Sequence, residues 1–436
     1  MTVSYDSHNS PMSGAASSEQ RRITPFDFAL LASVTMLLGI GAVMVYSATI
    51  NDQTIVTGDG AGKLKVHLIH VALGVTCLLG GMYYPYRNWR RLTYPILFGS
   101  VLLLVAVIFF GHTAGNARRW IKLPGFSLQP AEVAKLAFVM FLAYSLAKKA
   151  HRIRSFTVAF VPHLLVCGLL IFLCLFQPDF GTSVILTVLM FTMLFVAGTR
   201  LSYISLFVLV GSFLAFQAIA ANDMRLRRVI AFINPWAYRS GTGYQMVNSQ
   251  IAIGSGGLTG QGLGYGGQTL TGFLPEGHTD FILSVTAEQM GFVGVSVIAL
   301  LFVMLIARGI AIASSARDSY GRFLAFGITL LLGLQAVINM MVAVGLIPTK
   351  GLTLPFVSYG GSSMLVCCLA LGILLNISRD VALGKLELVA PPPSFEDEER
   401  QLLMQAETVR RQRHRKKRKT RGPDPRQQSL EEVLKP

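Results

Sequence analysis

The chain has 436 residues, of which 52% are hydrophobic and only 14% charged, with a formal net charge of +16 and a mean hydropathy of +0.54. A water-soluble domain carries about a quarter charged residues, so a soluble enzyme or a nucleic-acid-binding domain is excluded. Recurring windows of about 20 apolar residues instead indicate a polytopic membrane protein.

The first 24 residues are polar and Ser-rich, and the apolar run that follows is too long for a signal-peptide core, so no cleavable leader is expected. Ten spans are predicted, at 25–47, 67–84, 93–110, 131–147, 157–176, 181–198, 201–221, 281–307, 321–346 and 361–378. Lys and Arg in alternate connections (Arg87, Arg90 and Arg91; Lys148, Lys149, Arg152 and Arg154; Arg200; Arg308, Arg317 and Arg322) put both termini in the cytoplasm. The expected organisation is a disordered cytoplasmic tail over 1–24, an all-α membrane domain over 25–380 with a long outer loop at 222–280, and a largely disordered tail over 381–436. That tail holds an acidic patch, Glu396 to Glu399, and a basic block at 410–421 suited to anionic lipid headgroups or a protein partner. The five cysteines (Cys77, Cys167, Cys174, Cys367, Cys368) sit in apolar runs without metal-ligand spacing and read as small buried hydrophobes.

Two outer loops break the charge rule. Residues 115–122 hold Arg118, Arg119 and Lys122, and residues 225–228 hold Arg225, Arg227 and Arg228. Positive charge on that face suits a pyrophosphate-bearing ligand, since guanidinium groups pair with phosphate oxygens through two parallel hydrogen bonds; long loops also escape the rule, which is the plainer explanation for 225–228. The segment 222–280 mixes apolar residues with glycines, as expected of interfacial helices and re-entrant turns. Its glycines (254, 256, 257, 260, 262, 264, 266, 267) permit close backbone approach, and no strand or P-loop Lys-Ser accompanies them, so nucleotide binding is not indicated.

Asp280 ends that stretch and opens a span, a costly place for a carboxylate. Helix capping alone explains such a residue. A second charged pair, Glu132 and Lys135, lies three residues apart at the outer end of the fourth span, after Gln129-Pro130. Lys135 is within the apolar run and needs an anionic partner; Asp280, at the same depth, is the partner predicted for it.

These segments carry a resemblance. GNARRWIKLPGFSLQPAEVAKL (115–136), QPDFGTS (177–183), RLRRVIAFINPWAYRSGTGYQMVNSQIAIGSGGL (225–258), LPEGHTDFILSVTAEQMG (274–291) and GLIPTKGLTLPFVSYGGSS (345–363) resemble, in order, the motifs of the SEDS family (shape, elongation, division and sporulation) of peptidoglycan polymerases. PTKGLTLPFVSYGGSS and MVYSAT (44–49) are more similar to the division branch than to the elongation branch, whose polymerase is the near alternative. Gln289 stands where many members have Glu, and Ala131 where Ser is usual.

The resemblance implies ten transmembrane helices and polymerisation of lipid II at the outer face of the bacterial cytoplasmic membrane, at the division septum. Undecaprenyl pyrophosphate would be the leaving group. It implies Asp280 as the essential catalytic residue, with Glu132 and Lys135 close to it. On this reading Asp280 is the base, Lys135 keeps it ionised, and Arg118, Arg119 and Lys350 stabilise the departing pyrophosphate. Gln129, His278, Ser358 and Tyr359, all within the matching motifs, are further substrate-binding candidates. No acidic cluster demands a metal site, although a divalent cation, Mg or Mn, would serve pyrophosphate departure. The implied partner is a class B penicillin-binding protein, a transpeptidase whose single span would pack on the eighth and ninth spans where Gly291, Gly294, Gly327 and Gly333 allow close approach. Two rival functions fit the composition: a lipid II flippase, and a non-catalytic scaffold for a transpeptidase.

Overall fold

The computed structural model describes residues 26–57, 62–114, 117–123, 126–221, 223–270, 273–349, 351–389 and 404. Lys350, the acidic patch and the basic block at 410–421 lie outside them, as does the tail over 1–24. The chain divides into two units, Met1–Leu383 and Gly384–Pro436; the described part of the second is the end of the last helix and Met404.

The first three helices are α1 (Phe28–Thr57), α2 (Gly62–Tyr83) and α3 (Tyr86–Phe110); α4 (Pro130–Lys148), α5 (Val161–Phe176), α6 (Phe180–Val196) and α7 (Leu201–Ala220) follow. After the loop helices α8 (Asp223–Ile233), α9 (Tyr244–Gly256) and α10 (Gly267–Leu270) come α11 (Ile282–Ser315), α12 (Ser319–Val344) and α13 (Gly361–Val389). Eight are long and apolar enough to span a bilayer, and α6 and α7 are shorter apolar helices; each coincides with one of the ten expected spans. Local chemistry sets several ends. Pro130 opens α4, where a missing N–H costs nothing. Asp179 caps α6, accepting from Thr182 N at 3.2 Å and Thr182 Oγ1 at 2.9 Å. Gly345, in the left-handed region at φ 83°, ends α12.

The core sits around α4, which is buried along most of its length. A Cβ on Gly327 of α12 would stand 2.7 Å from Val139 of α4 and 3.0 Å from Met193 of α6, so this glycine sets how closely α12 approaches α4 and α6. Gly333 likewise faces Ile306 of α11. Gly291 meets the backbone of Leu258 and Gly260, and Gly294 faces Met290 of its own helix. Three of the four glycines expected to receive a partner's span, Gly291, Gly327 and Gly333, are therefore taken up by close approach inside the bundle, and Gly294 is buried against its own helix.

Between α3 and α4 the chain forms a small antiparallel sheet that the sequence reading did not anticipate: β1 (His112–Ala114), β2 (Ala117–Leu123) and β3 (Phe126–Leu128), in the order β1-β2-β3. Its far end is tied to α13 through Ser362, whose Oγ accepts from Gln129 N at 2.9 Å and donates to Ser127 O at 2.7 Å.

The glycine-rich stretch has a definite task. Helix α11 is broken at Gly291, with φ 65° and ψ −163°. A break deprives backbone groups of their partners, and within a membrane those groups must be satisfied by protein. The glycine loop supplies them: Gln261 N donates to Glu288 O (2.9 Å) and Gly262 N to Gln289 O (3.0 Å), while Phe292 N donates to Gly257 O (2.9 Å) and Val293 N to Leu258 O (3.2 Å). Contact this close leaves no room for a side chain. A Cβ on Gly256 would lie 1.8 Å from Ala287 O, and one on Gly260 2.1 Å from Gln289 O. Gly256→Ala and Gly260→Ala are each expected to destabilise the protein by about 2–3 kcal/mol, through overpacking and loss of the backbone pairing. Thermal melting in detergent, with Gly254→Ala (open space at its Cβ) as control, checks this. The Gln289 departure is half satisfied in the same place: its Oε1 accepts from Ser47 Oγ at 2.5 Å, as a carboxylate would, while its Nε2 is buried without a hydrogen-bond partner.

Candidate active site at the outer end of the eleventh helix

The HTD turn is shaped by Glu276, whose positive φ of 59° folds the chain so that its carbonyl accepts from Thr279 N, Asp280 N and Phe281 N. Two neighbouring segments clamp that turn. Asn339, a buried side chain on α12, donates through Nδ2 both to Asp280 O (2.9 Å) and to Leu352 O (2.6 Å), fastening the 351–360 loop beside Asp280. Ser358 Oγ donates to Thr279 O (2.6 Å) and accepts from Leu354 N (2.8 Å), and Tyr359 N donates to His278 O (2.9 Å). The Tyr359 ring lies edge-on to His278 and packs on His67 and His70 of α2, with centroids 5.6–6.0 Å apart. Two sequence candidates, Ser358 and Tyr359, thus hold the HTD turn through the hydrogen bonds just described.

Arg119 approaches from β2. Its Nε donates to Gln177 O at 3.0 Å and its Nη2 to Pro178 O, so the guanidinium is fixed to the turn that precedes α6. Its remaining nitrogen, Nη1, and Asp280 Oδ2 lie 3.6 and 3.5 Å from the position a Cβ would take on Gly351. The bare glycine leaves the space between carboxylate and guanidinium open. Burial, with Glu276 and Asp179 nearby, pushes the half-buried Asp280 carboxyl up to about 7; Arg119 pulls the other way. Such a group titrates near neutrality, as a general base must.

The predicted Asp280–Lys135 pair does not form. Lys135 Nζ contacts Glu132 Oε1 at 2.7 Å, one turn away on the same helix, and both are buried. A desolvated ammonium takes the nearest carboxylate able to reach it, and the i, i+3 spacing provides one without a second helix. Among the described residues the cation acting on Asp280 is Arg119 instead. Arg118 is exposed on β2, and Gln129 is anchored through its backbone N–H to Ser362. Of the basic outer segment 225–228, carried on α8, Arg227 is exposed. Asn339 and Gly351 were missed by sequence reasoning; a lone amide inside the apolar run 321–346 was the available signal for the first.

Among the described residues no three imidazole, thiol or carboxylate groups converge as a metal-ligand set. The described donors around Asp280 do not by themselves make up a ligand set for a Mg or Mn ion.

A model of a cell cycle protein family, that of FtsW, RodA and SpoVE, matches residues 28–382. A probable peptidoglycan glycosyltransferase FtsW of Geobacter metallireducens is 46% identical over 361 residues, covering 82% of this chain and 96% of that protein. Stage V sporulation protein E of Bacillus subtilis is 39% identical over 358 residues, covering 81% and 97%. Among solved structures, a chain from a peptidoglycan synthase complex that coordinates polymerization and crosslinking superposes with a TM-score of 0.66 at 28% identity, covering 82% of this chain and 98% of that one. The rod shape determining protein RodA of Thermus thermophilus gives 0.61 at 29% identity, covering 81% and 97%. With the broken α11 and the Asp280 turn inside the matched region, the chain belongs to the FtsW, RodA and SpoVE family of polytopic membrane proteins.

Proposed function

We propose that this protein is a peptidoglycan glycosyltransferase that polymerises lipid II at the outer face of the cytoplasmic membrane, with Asp280 as the general base. The observation that carries the assignment is the half-buried Asp280 carboxyl, raised to about 7, set against the Arg119 guanidinium across the space left by Gly351. In the reaction the 4-hydroxyl of an acceptor GlcNAc attacks C1 of a donor MurNAc. Asp280 takes the hydroxyl proton as the new C–O bond forms, the bond from C1 to the pyrophosphate oxygen breaks, and the configuration at C1 inverts. Undecaprenyl pyrophosphate leaves with the bonding electrons. Arg119 is the residue assigned to offset negative charge on the departing group, with exposed Arg118 as an outer contact. Fixed cations of this kind need little reorganisation during the reaction, because Arg119 is already held by Gln177 O and Pro178 O.

Similarity to relatives named FtsW supports a role in septal wall synthesis. A class B penicillin-binding protein is the proposed partner, since this chain carries no transpeptidase domain among its described residues and the structural relative comes from a complex that couples polymerization to crosslinking. Because the interior glycines are occupied, its span would sit on exposed apolar faces of the bundle. The test is lipid II polymerisation by the purified protein in nanodiscs, with and without that partner, read on a gel resolving glycan strands. Long strands that require intact Asp280 support the proposal. Movement of lipid II across the bilayer without polymer would favour a flippase instead.

Gly351→Ala is expected to leave folding nearly unchanged, because its Cβ would meet Asp280 Oδ2 and Arg119 Nη1 at ordinary contact distance. It fills the gap between them, so polymerisation should fall at least about tenfold, a loss of more than about 1.4 kcal/mol in transition-state binding. Activity measured beside a melting curve checks this.

A further inference from the structure

On the face opposite Asp280, the connection between α4 and α5 meets the start of α7 around a concavity of about 440 Å³ lined by His151, Arg152, Arg154, Ser155 and Arg200. Lys148 and Lys149 end the helix that leads into it. The turn is tight: Arg152 N donates to Lys149 O at 2.8 Å and Ser155 N to Arg152 O at 3.0 Å, while Ile153 is buried and holds the loop to the bundle. No acidic residue occurs between Glu132 and Asp179, or between Asp179 and Asp223. Among the described residues none of the arginines lining this concavity forms a salt bridge. Burial, and to a lesser extent Lys148 beside it, lower the Lys149 pKa. Topogenic charge explains cations on this face; it does not explain why they converge on one hollow.

An aromatic cluster adjoins the hollow in the chain. Phe156 and Phe160, from the π-helical turn that follows Ser155 and leads into α5, pack against Tyr203 and Phe207 of α7 with centroids 4.9–6.2 Å apart. Further along the same two helices, Leu165, Leu169, Leu206 and Leu209 are exposed. The combination is a cationic headgroup pocket beside a cluster of interfacial aromatics and an apolar wall.

We propose that this pocket binds the phosphate headgroup of an anionic phospholipid of the inner leaflet, with its acyl chains lying along α5 and α7. Arg152, Arg154 and Arg200 are the phosphate contacts, because a guanidinium offers two parallel donors to a phosphate. A free phosphate compound would find the same cations but have no use for the apolar wall, which is why the lipid is the favoured source. The site is separate from the Asp280 site and does not depend on how the latter works.

The test uses the full-length protein in nanodiscs of phosphatidylcholine containing either phosphatidylglycerol or a diphosphatidylglycerol lipid. Retained lipids are counted by native mass spectrometry, and melting is followed with each lipid. The expected result is selective retention of the anionic lipid and a raised melting temperature. Arg152→Gln/Arg154→Gln/Arg200→Gln should weaken that retention at least about tenfold. The all-lysine counterpart, Arg152→Lys/Arg154→Lys/Arg200→Lys, keeps the charge count and so the membrane orientation, and should lose several-fold through loss of the guanidinium fork. Equal retention by wild type and the Gln variant overturns the proposal. So does displacement of the lipid by glycerol 3-phosphate at matched concentration, which would make this a site for a soluble phosphate.

Discussion

Asp280→Asn is expected to abolish lipid II polymerisation while making the folded protein more stable above neutral pH. A positioned general base contributes about 10²–10⁴ in rate, and an amide cannot take the acceptor's proton, so the loss should be at least about a hundredfold. The stability effect has the opposite sign. A carboxyl whose folded-state pKa is about 7 holds its proton more tightly folded than unfolded. Its favourable contribution is therefore full below about pH 4, the unfolded value, and is lost as pH rises through about 7. Asn carries no charge to desolvate and does not suffer that loss. With allowance for solvent reaching the half-buried group, the gain at pH 8 is on the order of 1–2 kcal/mol. Melting curves of both proteins at pH 5 and pH 8 should converge at the lower pH and separate at the higher. Asn339 Nδ2 bonds the backbone of residue 280, not its side chain, so the turn itself survives the substitution.

The second large effect concerns the ion pair inside α4. Lys135→Met leaves Glu132 as a buried carboxylate without its cation, and Glu132 Oε2 already has no hydrogen-bond partner. Breaking one side of a buried pair costs about 3–5 kcal/mol, whereas replacing both sides with apolar groups is often neutral. Lys135→Met should therefore lower the melting temperature sharply and reduce activity with it, and Glu132→Gln should do so less, because Gln still accepts from the ammonium. The double variant Glu132→Leu/Lys135→Met should recover most of the stability. If it also recovers polymerisation, the pair positions α4; if stability returns without activity, the charges act on the substrate.

Most of the membrane architecture was readable because its causes are local: a span needs about 20 apolar residues, and Lys and Arg sort to one face. Asp280 was readable for the converse reason, since a carboxylate at a span boundary needs an explanation. What failed was pairing. The sequence places Glu132 and Lys135 on one face of α4, yet the cation was assigned across the bundle to Asp280, although the carboxylate three residues away was the cheaper partner. Arg119 was recognised as an outer-face cation and given to the leaving group alone, because nothing in the sequence brings β2 against the turn before α6. The small sheet escaped notice since strands of three to seven residues carrying Arg and Lys show no clear alternation. The glycine stretch was read as permitting close approach; that its object was the break at Gly291 depends on contacts 27 and 35 residues along the chain, which periodicity does not reveal.

The pH dependence of lipid II polymerisation, measured on wild type and Arg119→Gln in the same nanodiscs, tests the central claim that Asp280 is a base tuned by burial and by Arg119. For wild type, kcat/KM should rise from pH 5.5 to a plateau by pH 8.5, with a midpoint near the carboxyl's value of about 7. Arg119 favours the charged carboxylate, so its removal should raise the midpoint as well as lower the plateau. A flat profile in wild type, or an unchanged midpoint in Arg119→Gln, would contradict the account.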